Sequence, residues 1–129
     1  MNSAMAAPFR RTFDTWPVTE VWQRELFNYI VLGFAPGSFH AACFANDLSR
    51  AAHTSHIMNG WSEISSFMKW LTAYAPVGSW GNDANVMAWL AKSTADRIAI
   101  CTQYGLLLTE AEVVWVRIGG EQPRNKLPI

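Results

Sequence analysis

The sequence predicts an all-α protein, a compact bundle of five or six short helices, and three observations carry that expectation. Apolar residues recur at three- and four-residue spacing through the three longest segments. Residues able to cap a helix stand near the start of each, and glycine or proline closes each of them. The organisation expected from this pattern is a flexible arm over 1–14, a single helical domain over 15–120 and a tail over 121–129.

The arm holds Pro8, Phe9 and Phe13, which offer apolar groups that could dock back. Helix signals begin at Thr15-Trp16-Pro17, where Thr can accept a first-turn amide and Pro lacks only a donor that would have had no partner. Val18, Val21, Trp22, Leu26, Tyr29 and Ile30 then form one broad face opposite Glu20, Gln23, Arg24 and Asn28. Gly33 and Pro36 end that helix. Ser38 is placed to cap a second helix reaching about Ser55, with Ala41, Phe44, Leu48 and Ala51 on its apolar side. Its neighbouring row reads His40, Cys43, Asp47 and Arg50.

The Asn59-Gly60 pair interrupts the pattern, and Asn59 or Ser62 is the expected cap of a third helix. Trp61, Ile64, Phe67, Met68, Leu71, Tyr74 and Ala75 share its wide apolar face, which ends before Pro76. After a loop around Trp80-Gly81, Asn82 or Asp83 caps a short helix through Trp89, and Ser93 or Thr94 caps the next. Thr109–Glu112 has capping-box spacing and Gly119-Gly120 is a helix stop, so 110–118 reads as a further helix. The β-branched run from Val113 to Ile118 leaves a short C-terminal strand as the alternative. The expected core is Trp22, Ile30, Phe44, Leu48, Ile64, Met68, Leu71 and Leu90.

Composition narrows the function classes. The chain has 129 residues, half of them hydrophobic, and seven tryptophans. Ten basic residues balance ten acidic ones, so nucleic acid is not the expected partner, because duplex binding needs a basic field to displace counterions. Two cysteines, Cys43 and Cys101, do not make a disulfide framework of the secreted kind and read as reduced core thiols. No apolar run reaches membrane-spanning length and no export signal opens the chain, so a cytoplasmic location is the expectation.

Candidate chemistry is sparse. His53-x-x-His56 with Cys43 and Asp47 upstream is the one metal-like grouping, but Asp47 and His53 point in different directions on a helix, so no metal is expected. No nucleotide-binding loop occurs and no cofactor is expected. A hydrolase or transferase built on Cys43, His40 and Asp47 is conceivable from their common helical row, although a reactive thiol also needs a lowered pKa and an oxyanion site. Asn46-Asp47 sits where a continuous helix would disfavour both residues, which marks a binding surface or a local hydrogen-bonded network. The binding candidates are therefore Asn46, Asp47, Arg50, Asn59, Trp80, Trp89 and Trp115. Trp89 and Trp115 are the rings expected at the surface, where they could anchor a homodimer.

The spacing of Gly33-x-x-Pro36-Gly37-x-Phe39, Asn46-Asp47-Leu48, Asn59, Trp70-Leu71, Ala75-Pro76 and Trp80-Gly81 is informative as a set. It resembles a group of small proteins encoded by bacteriophages and prophages, over roughly residues 22 to 91. The group carries an acidic residue at the position of His56, and the stretch from Trp89 to Trp115 lies outside the likeness. The resemblance implies a phage accessory protein acting in the bacterial host cell, one that binds a host or defence protein without catalysis. Two alternatives stand beside it: the small Cys/His-dependent enzyme, and a helical DNA-binding module that would present the helix after Asn59-Gly60.

Overall fold

The N-terminal segment supplies part of the core. In the computed structural model, which describes residues 5–54 and 60–107, Ala7–Arg11 forms α1 and Thr12–Asp14 a 3-10 turn. Met5, Phe9 and Phe13 are buried. The expectation of a flexible arm over 1–14 is therefore corrected from Met5 onward. The reason is aromatic: Phe9 lies edge-on to Phe27 at 5.1 Å and against Trp70 at 5.3 Å, and Phe13 stacks on Trp70 at 5.6 Å. Such pairs add to simple area burial.

Six further helices follow: α2 (Glu20–Ile30), α3 (Ser38–Phe44), α4 (Leu48–Thr54), α5 (Trp61–Tyr74), α6 (Asp83–Ala91) and α7 (Thr94–Gln103). The described residues thus form an all-α domain with no strand, and with one or two more short helices than the sequence predicts. The expected 110–118 helix or strand and the 121–129 tail lie outside the described residues.

Two helix starts follow their caps as expected. Asn82 Oδ1 accepts from the Asn85 amide at 2.8 Å and Ser93 Oγ from the Asp96 amide at 3.1 Å. Two others shift. α2 begins at Glu20, after a turn in which the Val18 amide reaches the Trp16 carbonyl, rather than at Thr15. α5 is entered from Gly60, whose amide is accepted by Glu63 Oε1 at 3.2 Å.

The expected second helix is two helices. Asn46 adopts φ +58, the left-handed conformation that Asn tolerates better than most residues. The Asn46 amide then bonds the Cys43 carbonyl, and the Asp47 amide bonds that of Ala42 at 2.9 Å. This is a Schellman ending for α3 with Asn in the position usually taken by glycine. Asp47 at once caps α4, its Oδ1 accepting from the Arg50 amide at 3.1 Å. The break rotates α4 relative to α3, so Leu48 is 71% exposed instead of lying in the core. Trp22, Ile30, Phe44 and Leu71 are buried as expected, and Ile64, Met68 and Leu90 pack against the core while only partly covered.

One buried cation ties α7 to the end of α2. Arg97 is 5% exposed, and its guanidinium donates to the carbonyls of Val31 at 3.3 Å, Leu32 at 3.2 Å and Lys92. These include carbonyls past the last turn of α2 that no helical amide reaches. Gly33 makes room for it: a Cβ there would stand 2.2 Å from Arg97 Cζ, and its φ of +75 also favours glycine.

Candidate functional site

His40 and Cys43 share α3, where the fold buries the thiol and covers most of the ring. The His40 imidazole sits among Trp22 at 4.9 Å, Phe39 at 5.1 Å and Phe67 at 5.1 Å. Its buried Nε2 has no hydrogen-bond partner among the described residues. Burial lowers its pKa to about 4, because a charged ring would lose its hydration without gaining a counter-ion. Burial likewise pushes the Cys43 thiol up to about 11. At neutral pH the pair is a neutral imidazole beside a protonated thiol, the opposite of what nucleophilic activation needs.

Asp47, the third member of that candidate set, is engaged elsewhere. Besides capping α4 it stands 3.9 Å from Arg50 Nη1, the pairing its three-residue spacing permits. Arg50 in turn forms a two-pronged contact with Asp83 at 2.9 and 3.1 Å, joining α4 to the first turn of α6. The pairing with Arg50 holds the Asp83 carboxyl below its usual range. These groups are well exposed, so the network orients α4 more than it stabilises the fold.

The remaining sequence candidates separate. Asn46 is the exposed hinge between α3 and α4. Trp80 is half-buried, and its carbonyl accepts from Asn85 Nδ2 at 2.9 Å. Trp89, expected at the surface, is fully buried, with its indole N–H donating to the Ile30 carbonyl at 3.1 Å. A helix-end carbonyl within reach makes burying that ring inexpensive. Asn59 and Trp115 lie outside the described residues, as does His56. His53 Nδ1 meets the Ser49 carbonyl at 2.8 Å. Among the described residues no group of three or more His, Cys, Asp or Glu is placed to hold a metal ion, and no helix is long and apolar enough to cross a membrane.

Among the described residues an open apolar feature forms where the sequence sets Trp61 on the apolar face of its third helix and Leu48 in the core. Trp61, the first residue of α5, is 71% exposed, as is Leu48 opposite it on α4. Three surface grooves meet at Trp61. One, of about 230 Å³, runs between α4 and α5 over Cys43, Asp47, Ala51, Ile64 and Met68. Its neighbour, about 250 Å³, continues over Phe39 and Ala52. The third, about 430 Å³, lies on the other side of α5 between Trp61 and Trp16, with Met68 and Lys69 in its wall. Lys69 Nζ stands 5.4 Å from the centre of the Trp16 ring, within cation–π range.

A signal for this face was present in α5. Its apolar arc runs from Trp70 through Phe67, Leu71, Ile64 and Met68 to Trp61, about half the helix circumference at roughly 100° per residue. An arc that wide serves two contact surfaces, and the core takes the Trp70 side.

No family model, no curated protein and no solved structure matches this chain.

Proposed function

We propose that this chain is a non-catalytic phage accessory protein that binds a host or defence protein in the bacterial cytoplasm. One contrast carries the reading: the His40 ring and the Cys43 thiol are held neutral among apolar neighbours, while Trp61 and Leu48 stand in water. Leaving two large apolar side chains exposed side by side is unfavourable unless something covers them, and tryptophan is the residue most often found to anchor such contacts. Zero formal charge and a short, sparsely charged groove lining argue against a phosphate backbone as that partner. The phage context rests on the sequence resemblance.

The test is affinity capture from bacterial lysate with and without phage infection, using the native chain and Cys43→Ala side by side. The reading expects the same partner with both proteins and the same effect on infection. An intact Cys43→Ala fold, checked by circular dichroism, with the infection phenotype abolished would overturn it in favour of the thiol enzyme. Salt-sensitive retention on duplex DNA with no protein captured would overturn it in favour of the DNA-binding module.

A further inference from the structure

We infer that the groove between Trp61 and Trp16 seats an amphipathic helix of the partner protein, with that helix's apolar face against α5 and one of its carboxylates on Lys69. The inference rests on the preceding reading, since it takes a bound protein as given and names the kind of segment and the side of Trp61 that it uses.

The shape of the groove selects a helix. α5 lines it with Trp61, Ser65, Met68, Lys69, Thr72 and Ala73, which recur along one face, and Trp16 forms the opposite wall. Such a row follows the helix axis for about 18 Å, or about three turns. Ser65, Thr72 and Ala73 are small, so a neighbouring backbone can come close between the larger side chains of Trp61 and Met68. A helix brings its own backbone hydrogen bonds to this channel. An extended segment would need donors and acceptors from the wall, and the interior of α5 spends its own within the helix.

Charge selects the chemistry of that helix. Lys69 is the one charged side chain among the described residues that line this groove, and no carboxylate pairs with it there. Its ammonium stands over the Trp16 ring, which holds it at the groove wall. The Thr72 hydroxyl is already donated to the Met68 carbonyl at 3.1 Å. The groove toward α4 differs, because its carboxylate, Asp47, is engaged by the Arg50 amide and guanidinium. Of the two sides, the Trp16 side carries the charge without an opposite, and an aspartate or glutamate beside the apolar stripe of a partner helix supplies it. A second copy of this chain does not. Closing the groove on its own image would set ammonium toward ammonium, with no lining carboxylate to offset them.

Two synthetic helices test this, each of about four turns with leucine along one face, one flanked by glutamate and its twin by lysine. Binding is read as the fluorescence anisotropy of the labelled helix, and circular dichroism checks the fold of each variant. The native chain should favour the glutamate helix over its twin by about tenfold. Lys69→Glu should reverse that order, and Trp61→Ser should lose both helices. Leu48→Ser, on the α4 side, and Val77→Ser, outside the groove, should match the native chain. A preference that Lys69→Glu leaves unchanged would overturn the inference, as would loss through Leu48→Ser in place of Trp61→Ser. So would a native chain that binds neither helix, whether it stays monomeric or its mass rises with concentration. Lysate capture separates this result from the function. A protein held equally by the native chain and Lys69→Glu would overturn the inference and leave the proposed function standing. Capture of no protein, with the glutamate helix still bound, would overturn the function and leave the preference of the groove intact.

Discussion

Trp70 and Trp61 stand on the same helix, nine residues apart, and meet opposite fates. Trp70 is fully buried, with its ring against Phe9 and Phe13 and its indole N–H donating to Thr12 Oγ1 at 2.6 Å. Trp61 is 71% exposed. Trp89 follows Trp70, since it too is buried and has a carbonyl for its N–H. The difference lies in what the rest of the chain brings to each ring. An indole can be buried cheaply only where an acceptor is waiting, and Thr12 and Ile30 supply one from 58 and 59 residues away. Trp61 faces α4 and Trp16, where the chain offers apolar walls and leaves the ring in water.

The largest test of that contrast is truncation. Trp70→Ala should cost about 3–5 kcal/mol, the range for emptying a large aromatic from a packed core, read as a fall in the midpoint of urea unfolding. An equal loss for Trp61→Ala would erase the distinction.

Acid should act on the core side next. The His40 pKa is lowered to about 4 from an ordinary 6.5 by burial. The folded state therefore binds this proton less readily than the unfolded chain does. Stability attributable to His40 is full above the unfolded value and falls as pH drops from about 6.5 to about 4, by on the order of 2–3 kcal/mol. The charged groups near this ring's element, Asp47 and Arg50, are paired with each other and with Asp83 outside the aromatic cage. Chemical denaturation at pH 7 and pH 4.5 should show a smaller difference for His40→Leu than for the native chain; an unchanged difference would assign the acid sensitivity elsewhere.

A smaller effect isolates the hydrogen bond from the ring. Thr12→Val keeps the shape of the side chain but removes both the acceptor for Trp70 and the donor to the Phe9 carbonyl. It should cost about 1–3 kcal/mol, because a buried N–H is left without a partner. At the bottom of the scale, Trp61→Ser should change the stability of the dilute chain by no more than about 0.5 kcal/mol, the usual size for surface substitutions.

The helices themselves were largely legible in the sequence. Spacing and caps located α2, α5, α6 and α7, because these signals act over three or four residues. What the sequence could not show were contacts set by distant parts of the chain. Phe9 and Phe13 looked like an arm because their partners, Phe27 and Trp70, lie far along the sequence. The Asn46-Asp47 pair was noticed as a breach of helix preference. That it ends one helix and caps the next, turning Leu48 outward, depends on a left-handed Asn46 that periodicity does not encode. The candidate site was less legible. His40 and Cys43 do share a helix, yet their surroundings, Trp22 and Phe67 from α2 and α5, decide that both stay neutral. No spacing in the sequence singles out Arg97; the carbonyls of Val31 and Leu32 and the space over Gly33, all distant along the chain, give it a buried place.

Hydrogen exchange at the indole N–H groups, followed by nuclear magnetic resonance, compares the rings in a single sample. Trp70 and Trp89 should be protected, and Trp61 should exchange rapidly. Trp70 and Trp89 exchanging as fast as Trp61, or a Trp61 signal as protected as theirs, would contradict the division of this molecule into a locked aromatic core and an open apolar face.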